Sequence, residues 1–227
     1  MDGIPQTETE NLVTIPAGMV SLGGNLTLPP GAHGVVLFAH GSGSSRHSPR
    51  NRYVASVLNQ AGMGTLLMDL LTVDEERIDA VTAHLRFDIN LLAGRLVNAT
   101  DWLRQEVATR EMTIGYFGAS TGAAAALVAA SVRPEFVRAI VSRGGRPDLA
   151  ADYLSKVEAP TLLIVGGDDE VVIGMNREAL AGLTVVKELR IVPGATHLFE
   201  EPGALEEVAR LAAEWFSRYL VQNGSRS

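Results

Sequence analysis

Cysteine is absent from the 227-residue chain, which excludes disulfides, thiolate metal sites and a cysteine nucleophile. Any covalent chemistry then falls to serine or to another oxygen or nitrogen group. Basic residues are few: 19 Lys+Arg stand against 26 Asp+Glu, a net charge of -7. The cations are also scattered, so the chain lacks the basic surface that a phosphate backbone requires, and no nucleic-acid partner is expected. No stretch approaches the ~18 apolar residues of a membrane span, and no membrane partner is expected. The first ten residues lack both the basic start and the apolar core of a secretory signal, which makes a cytoplasmic location the default expectation. Also missing are internal repeats, a linker and a G-x-x-x-x-G-K-[ST] phosphate loop. Gly41-Ser42-Gly43 lacks the third glycine of a dinucleotide loop, because Arg46 occupies that place. The five histidines (His33, His40, His47, His84, His197) show no paired metal spacing. Neither a metal nor a cofactor is expected.

What remains is an alternation of short apolar runs with amphipathic stretches, the pattern of an α/β protein with a mostly parallel sheet and helices on both faces. A 46% hydrophobic content suffices for a single well-filled domain over residues 1–227, with flexible ends at 1–10 and 222–227. Candidate strands are residues 12–15, 20–28, 34–39, 64–68, 112–117, 139–142, 161–165 and 188–192, the first two as an antiparallel edge hairpin. Candidate helices are 51–60, 88–107, the run after Ser120, 149–157 and 204–220. In the second of these, Ile89, Leu92, Leu96, Leu103 and Val107 recur at helical spacing. Only eighteen residues, 143–160, separate two strands and most are consumed by one helix, so no large cap domain is expected. The polar segment 71–87 has the composition of a short lid at most.

Ligands in open α/β sheets bind beyond the carboxyl ends of the strands. Three such ends carry chemistry. Gly118-Ala119-Ser120-Thr121-Gly122 is a G-x-S-x-G set between an apolar strand and an alanine-rich helix, the context of a nucleophilic serine on a strained turn. Gly166-Gly167-Asp168-Asp169-Glu170 offers an acid, and Pro193-Gly194-Ala195-Thr196-His197 offers a base. A serine hydroxyl needs a histidine to take its proton and a carboxylate to orient that histidine, and the chain supplies the three in the order Ser, Asp, His. Asp169 is favoured as the acid over its neighbours Asp168 and Glu170. Asp148 is a distant alternative, better read as a helix-start cap. A tetrahedral oxyanion requires two donors: the amide of Thr121 is one, and the loop after His40 supplies the other, with Ser42 first and Gly43 second. His40 itself reads as a structural hydrogen-bonding residue. Arg46, Arg86, Arg143 and Arg146 fall in loops near the strand ends, where Arg46 and Arg143 in particular are expected to bind the substrate, and solvated ion pairs are the alternative.

Taken together, His40-Gly41-Ser42-Gly43, Gly118-Ala119-Ser120-Thr121-Gly122, Gly166-Gly167-Asp168-Asp169 and Thr196-His197 resemble the α/β-hydrolase superfamily, in its small dienelactone-hydrolase-like branch. The stretches 38–51 and 142–148 are similar to hydrolase domains found alone or fused to phosphoribosyltransferases. The resemblance spans nearly the whole chain and implies an α/β-hydrolase fold of about seven to eight strands with its acid at Asp169. Dienelactone hydrolases proper use cysteine, whereas this chain has Ser120, which favours general carboxylic esters. The expected activity is that of a short-chain carboxylesterase acting on a small-molecule ester. Perhydrolase chemistry with the same triad and a non-catalytic interaction module are the alternatives.

Overall fold

A computed structural model describes residues 10–220. The flexible ends expected from the sequence therefore lie outside the described residues, except that Glu10 opens the first strand. Eight strands form one sheet in the order β1-β2-β4-β3-β5-β6-β7-β8. Strands β1 (Glu10–Ala17) and β2 (Val20–Thr27) make the expected antiparallel hairpin at one edge, and β2 runs antiparallel to β4 (Gly64–Met68). From β4 onward, β3 (Gly34–Ala39), β5 (Thr113–Ala119), β6 (Val137–Arg143), β7 (Thr161–Gly166) and β8 (Lys187–Val192) are parallel. Every residue of β3, β4 and β7 is buried, which is why these strands read as unbroken apolar runs rather than as alternating ones.

Helices α1 (Pro49–Gln60) and α6 (Ala204–Leu220) cover one face of the sheet, where Val54, Leu58, Val208, Ala212 and Phe216 pack on Val36, Phe38 and Val141. The opposite face packs under α3 (Ile89–Gln105), α4 (Thr121–Val132) and the 3-10 segment Pro147–Lys156. The expected α3 stripe holds for Leu92, Leu96 and Leu103, but Val107 lies past the helix end and is exposed. Residues 149–157, expected as a helix, form 3-10 turns instead, with non-helical backbone at Ala150.

Two helices were not among the sequence candidates. Helix α2 (Val73–Thr82) buries only Asp79, so it has no apolar stripe to reveal it. Its start is fixed instead by a capping box in which Thr72 and Glu75 satisfy each other's amides. Helix α5 (Glu170–Gly182) buries Val172, Asn176 and Ala179, a stripe disguised by an asparagine. No cap domain interrupts the fold among the described residues; α2 and the 3-10 turn Leu85–Phe87 are the short polar segment suspected of lid character.

Candidate active site

Ser120 stands between β5 and α4 with φ 51° and ψ -121°, a conformation that L-residues adopt at a cost of about 1–3 kcal/mol. Neighbouring structure enforces it. Ser120 N donates to Arg143 O (3.2 Å), and Arg146 N donates to Ser120 O (3.1 Å), so the loop after β6 clasps the turn from both sides. Asn176 of α5 donates to Gly145 O at 3.0 Å and holds that loop in turn. The two glycines of the motif are required by close approach. A β-carbon at Gly118 would lie 2.4 Å from Ala123 Cα, and one at Gly122 would lie 2.3 Å from Ala39 O and 2.4 Å from His40 O. The motif thus lets helix α4 leave the sheet directly beneath the β3 loop.

Asp169 follows β7 at the N-cap of α5, yet its side chain makes no cap bond. Its Oδ2 instead lies 2.7 Å from His197 Nδ1, with the aspartate side chain 16% exposed and the histidine 40%. Asp168 and Glu170 are exposed on either side. The His197 ring packs against Gly144, whose β-carbon position is 3.4 Å from Cε1. Gly144 immediately follows the residue that accepts the Ser120 amide, so the His197–Asp169 pair reaches the loop that clasps the serine turn, with no Ser120–His197 hydrogen bond among the described residues. Asp148 is not a helix cap: it pairs with Arg146 at 2.9 and 2.7 Å.

The β3 loop faces the serine turn. Ser42 Oγ lies 3.0 Å from Thr121 Oγ1, tying the loop to the first residue of α4. That helix begins without an acidic residue, so the positive end of its dipole is left for an incoming anion. His40 has the structural role expected. Its Nε2 accepts from Leu70 N at 3.1 Å, which leaves the proton on Nδ1 to donate to Gly41 O at 3.0 Å. Burial lowers its pKa, against smaller opposing effects of the Gly41 bond and of Asp69.

Beside this loop opens a cleft of about 590 Å³, a size suited to a small organic ligand, lined by residues of the His40–Arg50 loop, by Leu70, Leu71 and Leu92, and by Glu76, Asp79 and Ala80 of α2. The four arginines near the strand ends are placed differently from one another. Arg46 is tied to Asp69 through its amide at 2.9 Å and through a close guanidinium ion pair, and it does not line the cleft. Arg143 is 8% exposed beneath the Phe199 ring and does not line it either. Both start near the strand ends as the sequence places them; Arg46 bends back to Asp69 and strand alternation carries Arg143 under Phe199. Arg86 does line the cleft, with its charge matched by Asp79 at 2.6 Å. Cleft residues that sequence reasoning missed are Arg50, whose Nη1 donates to Glu200 at 3.0 Å, and Glu76. The pKa of Glu76 is raised by partial burial and then by Asp69 and Asp79, with Arg46 opposing. A capping-box reading of Thr72 and Glu75 could have found the helix that carries Glu76.

Such a sheet, with a serine turn after its fifth strand and an Asp-His pair at later strand ends, is the α/β-hydrolase fold. The chain belongs to the dienelactone hydrolase family, which residues 24–221 match. A dienelactone hydrolase from Anabaena variabilis is 64% identical, over 94% of this chain and 99% of its own, with a TM-score of 0.93. Est1E from Butyrivibrio proteoclasticus shares the fold at 16% identity and a TM-score of 0.77. A Mycobacterium tuberculosis protein named, provisionally, as a phosphoribosyl transferase is 58% identical over 212 residues. Those residues are 93% of this chain but 47% of the relative, so the chain spans about half the length of the curated relatives it matches. Among the described residues no helix is long and apolar enough to cross a membrane.

Proposed function

We propose that the chain is a serine hydrolase of short-chain carboxylic esters. His197 takes the proton of Ser120, and Ser120 attacks the ester carbonyl. The amides of Thr121 and Ser42 receive the oxyanion; its collapse breaks the bond to the alcohol, which leaves with the proton from His197. Water, giving a proton to His197, then attacks the acyl-enzyme, and the acid departs as that proton returns to Ser120. Asp169 fixes His197 with its proton on Nδ1, leaving Nε2 free to act as the base. The observation that carries this reading is the 2.7 Å contact between His197 Nδ1 and Asp169 Oδ2, beside a serine held at positive φ by the Arg143–Arg146 loop. The name of the Mycobacterium relative belongs to a protein about twice as long. The residues that support hydrolysis fall within the half that this chain shares with it.

Substrate size follows from the walls. The cleft reaches the serine turn through Ser42 and Thr121, while Ser120, Asp169 and His197 do not themselves line it. Pro49, Leu70, Leu71, Ala80 and Leu92 offer apolar contact for a few carbons, and the rest of the cleft is glycine backbone, hydroxyl, imidazole and charge. Each added methylene contributes about 0.8 kcal/mol only where it is buried, so the gain stops after a few carbons. The test is a screen of acetate, butyrate, octanoate and palmitate esters with wild type and Ser120→Ala. The expected result is a kcat/KM maximum at butyrate or shorter, lost in the variant. A maximum at octanoate or longer would refute the size argument, and turnover that survives Ser120→Ala would refute the nucleophile. Adding hydrogen peroxide to the same assay separates hydrolysis from peracid formation.

A further inference from the structure

Arg143 ends β6 with a guanidinium that has no acidic partner among the described residues. The residue is more than nine-tenths buried, and both Nε and Nη1 are shut off from solvent without an acceptor among the described residues. A lone buried cation is costly, and proteins normally pair such a group or surround it with acceptors. Burial, and then the charge of Arg50, bring its pKa down to about 10, so it is still a cation at neutral pH.

Its surroundings gather positive potential and unmatched polar atoms. Ala139 and Val141 of β6 pack with Val54, Ala55 and Leu58 of α1, so strand alternation turns the Arg143 side chain toward the α1 face. Its guanidinium lies 5.9 Å from the centroid of the Phe199 ring. The next residue, Glu200, accepts from Arg50 Nη1 at 3.0 Å, which brings the start of α1 to the same place. Helix α1 has no acidic residue in its first turn, leaving the positive end of its dipole uncompensated. Glu200 is a poor neutraliser because its side chain is 63% exposed and already engaged by Arg50. Nine buried side-chain atoms lack a partner among the described residues, and three of them are donors of this corner: Arg50 Nε, Arg143 Nε and Arg143 Nη1.

We propose that Arg143, Arg50 and the first turn of α1 form a binding site for a small oxyanion, a carboxylate or phosphate group, adjoining the ester cleft through Arg50. The site stands independently of ester hydrolysis. A free ion and the anionic end of a substrate offer the same chemistry.

Thermal unfolding of the full chain against inorganic phosphate, with sodium chloride at matched ionic strength as control, tests it. Wild type should gain stability saturably at millimolar phosphate. Arg143→Met should unfold at a higher temperature than wild type in chloride, because it removes the lone charge, and should bind phosphate at least ~10-fold more weakly. Arg50→Gln, nearer the surface, should weaken the response as well and serves if Arg143→Met does not fold. A wild-type response to phosphate no greater than to chloride, or variants that respond like wild type, would overturn the site. Kinetics distinguish the source. A KM that rises ~10-fold in Arg143→Met for a carboxylate-bearing ester but not for its neutral counterpart assigns the anion to the substrate. Phosphate stabilisation with both KM values unchanged assigns a free ion. Absence of ester turnover with the phosphate response intact would refute the hydrolase reading and leave this one standing.

Discussion

Asp169→Asn should lower kcat by about three to four orders of magnitude while leaving KM and folding nearly unchanged. In the transition state His197 becomes an imidazolium against a carboxylate oxygen 2.7 Å from its Nδ1. Two charge centres about 4 Å apart, at an effective dielectric of about 20, attract by about 4 kcal/mol. The neutral amide removes that attraction, and at 1.36 kcal/mol per decade this is about a 10³-fold loss. An amide NH2 turned toward the ring would also favour the wrong tautomer, which brings triads of this type to about 10⁴. Because the histidine is 40% exposed, water relieves part of the loss and the lower end is the better expectation. Steady-state kinetics on a butyrate ester measures it, with Asp168→Asn as the control, since Asp168 is exposed and the His197 Nδ1 bond goes to Asp169. Comparable losses in both variants, or a change in Asp169→Asn confined to KM, would refute the assignment of the acid.

Ser120→Gly should be inactive yet more stable than wild type by about 1 kcal/mol in denaturant titration, because glycine takes the φ of 51° without strain. Gly122→Ala should destabilise by about 1–3 kcal/mol and cost most activity, since the new carbon meets the backbone oxygens of Ala39 and His40 and the turn must move. Burial works to raise the pKa of Asp79, but the Arg86 bonds and the Leu85 amide outweigh it and the folded-state pKa is lowered. Its contribution is therefore fully present above the ordinary carboxylate range and is lost as pH falls through the folded value. Thermal unfolding from pH ~6 down to ~3 should accordingly lose less stability in Asp79→Asn than in wild type.

Strands that are buried on both faces announced themselves in the sequence, and β3, β4 and β7 fall within a residue of where the apolar runs put them. The candidate site could be picked out for a related reason: Ser120 and Asp169 follow such strands, β5 and β7, and small residues crowd the turn that must bend most sharply, whereas His197 follows β8, whose only buried residue is Val192. Helix α2 was not legible as a helix because its stability comes from a capping box and the Asp79–Arg86 pair rather than from an apolar stripe. For the arginines, loop position fixes where a side chain starts and not which way it points. Arg46 bends back to Asp69, and the two-residue period of β6 sends Arg143 under Phe199.

Hydrolysis as proposed requires Ser120 to be an activated nucleophile. Incubation with a fluorophosphonate, followed by intact mass and peptide mapping, tests this. One adduct per chain is expected, on Ser120, absent in Ser120→Ala and formed far more slowly in His197→Ala. An unlabelled wild-type protein, or a label on any other residue, would contradict it.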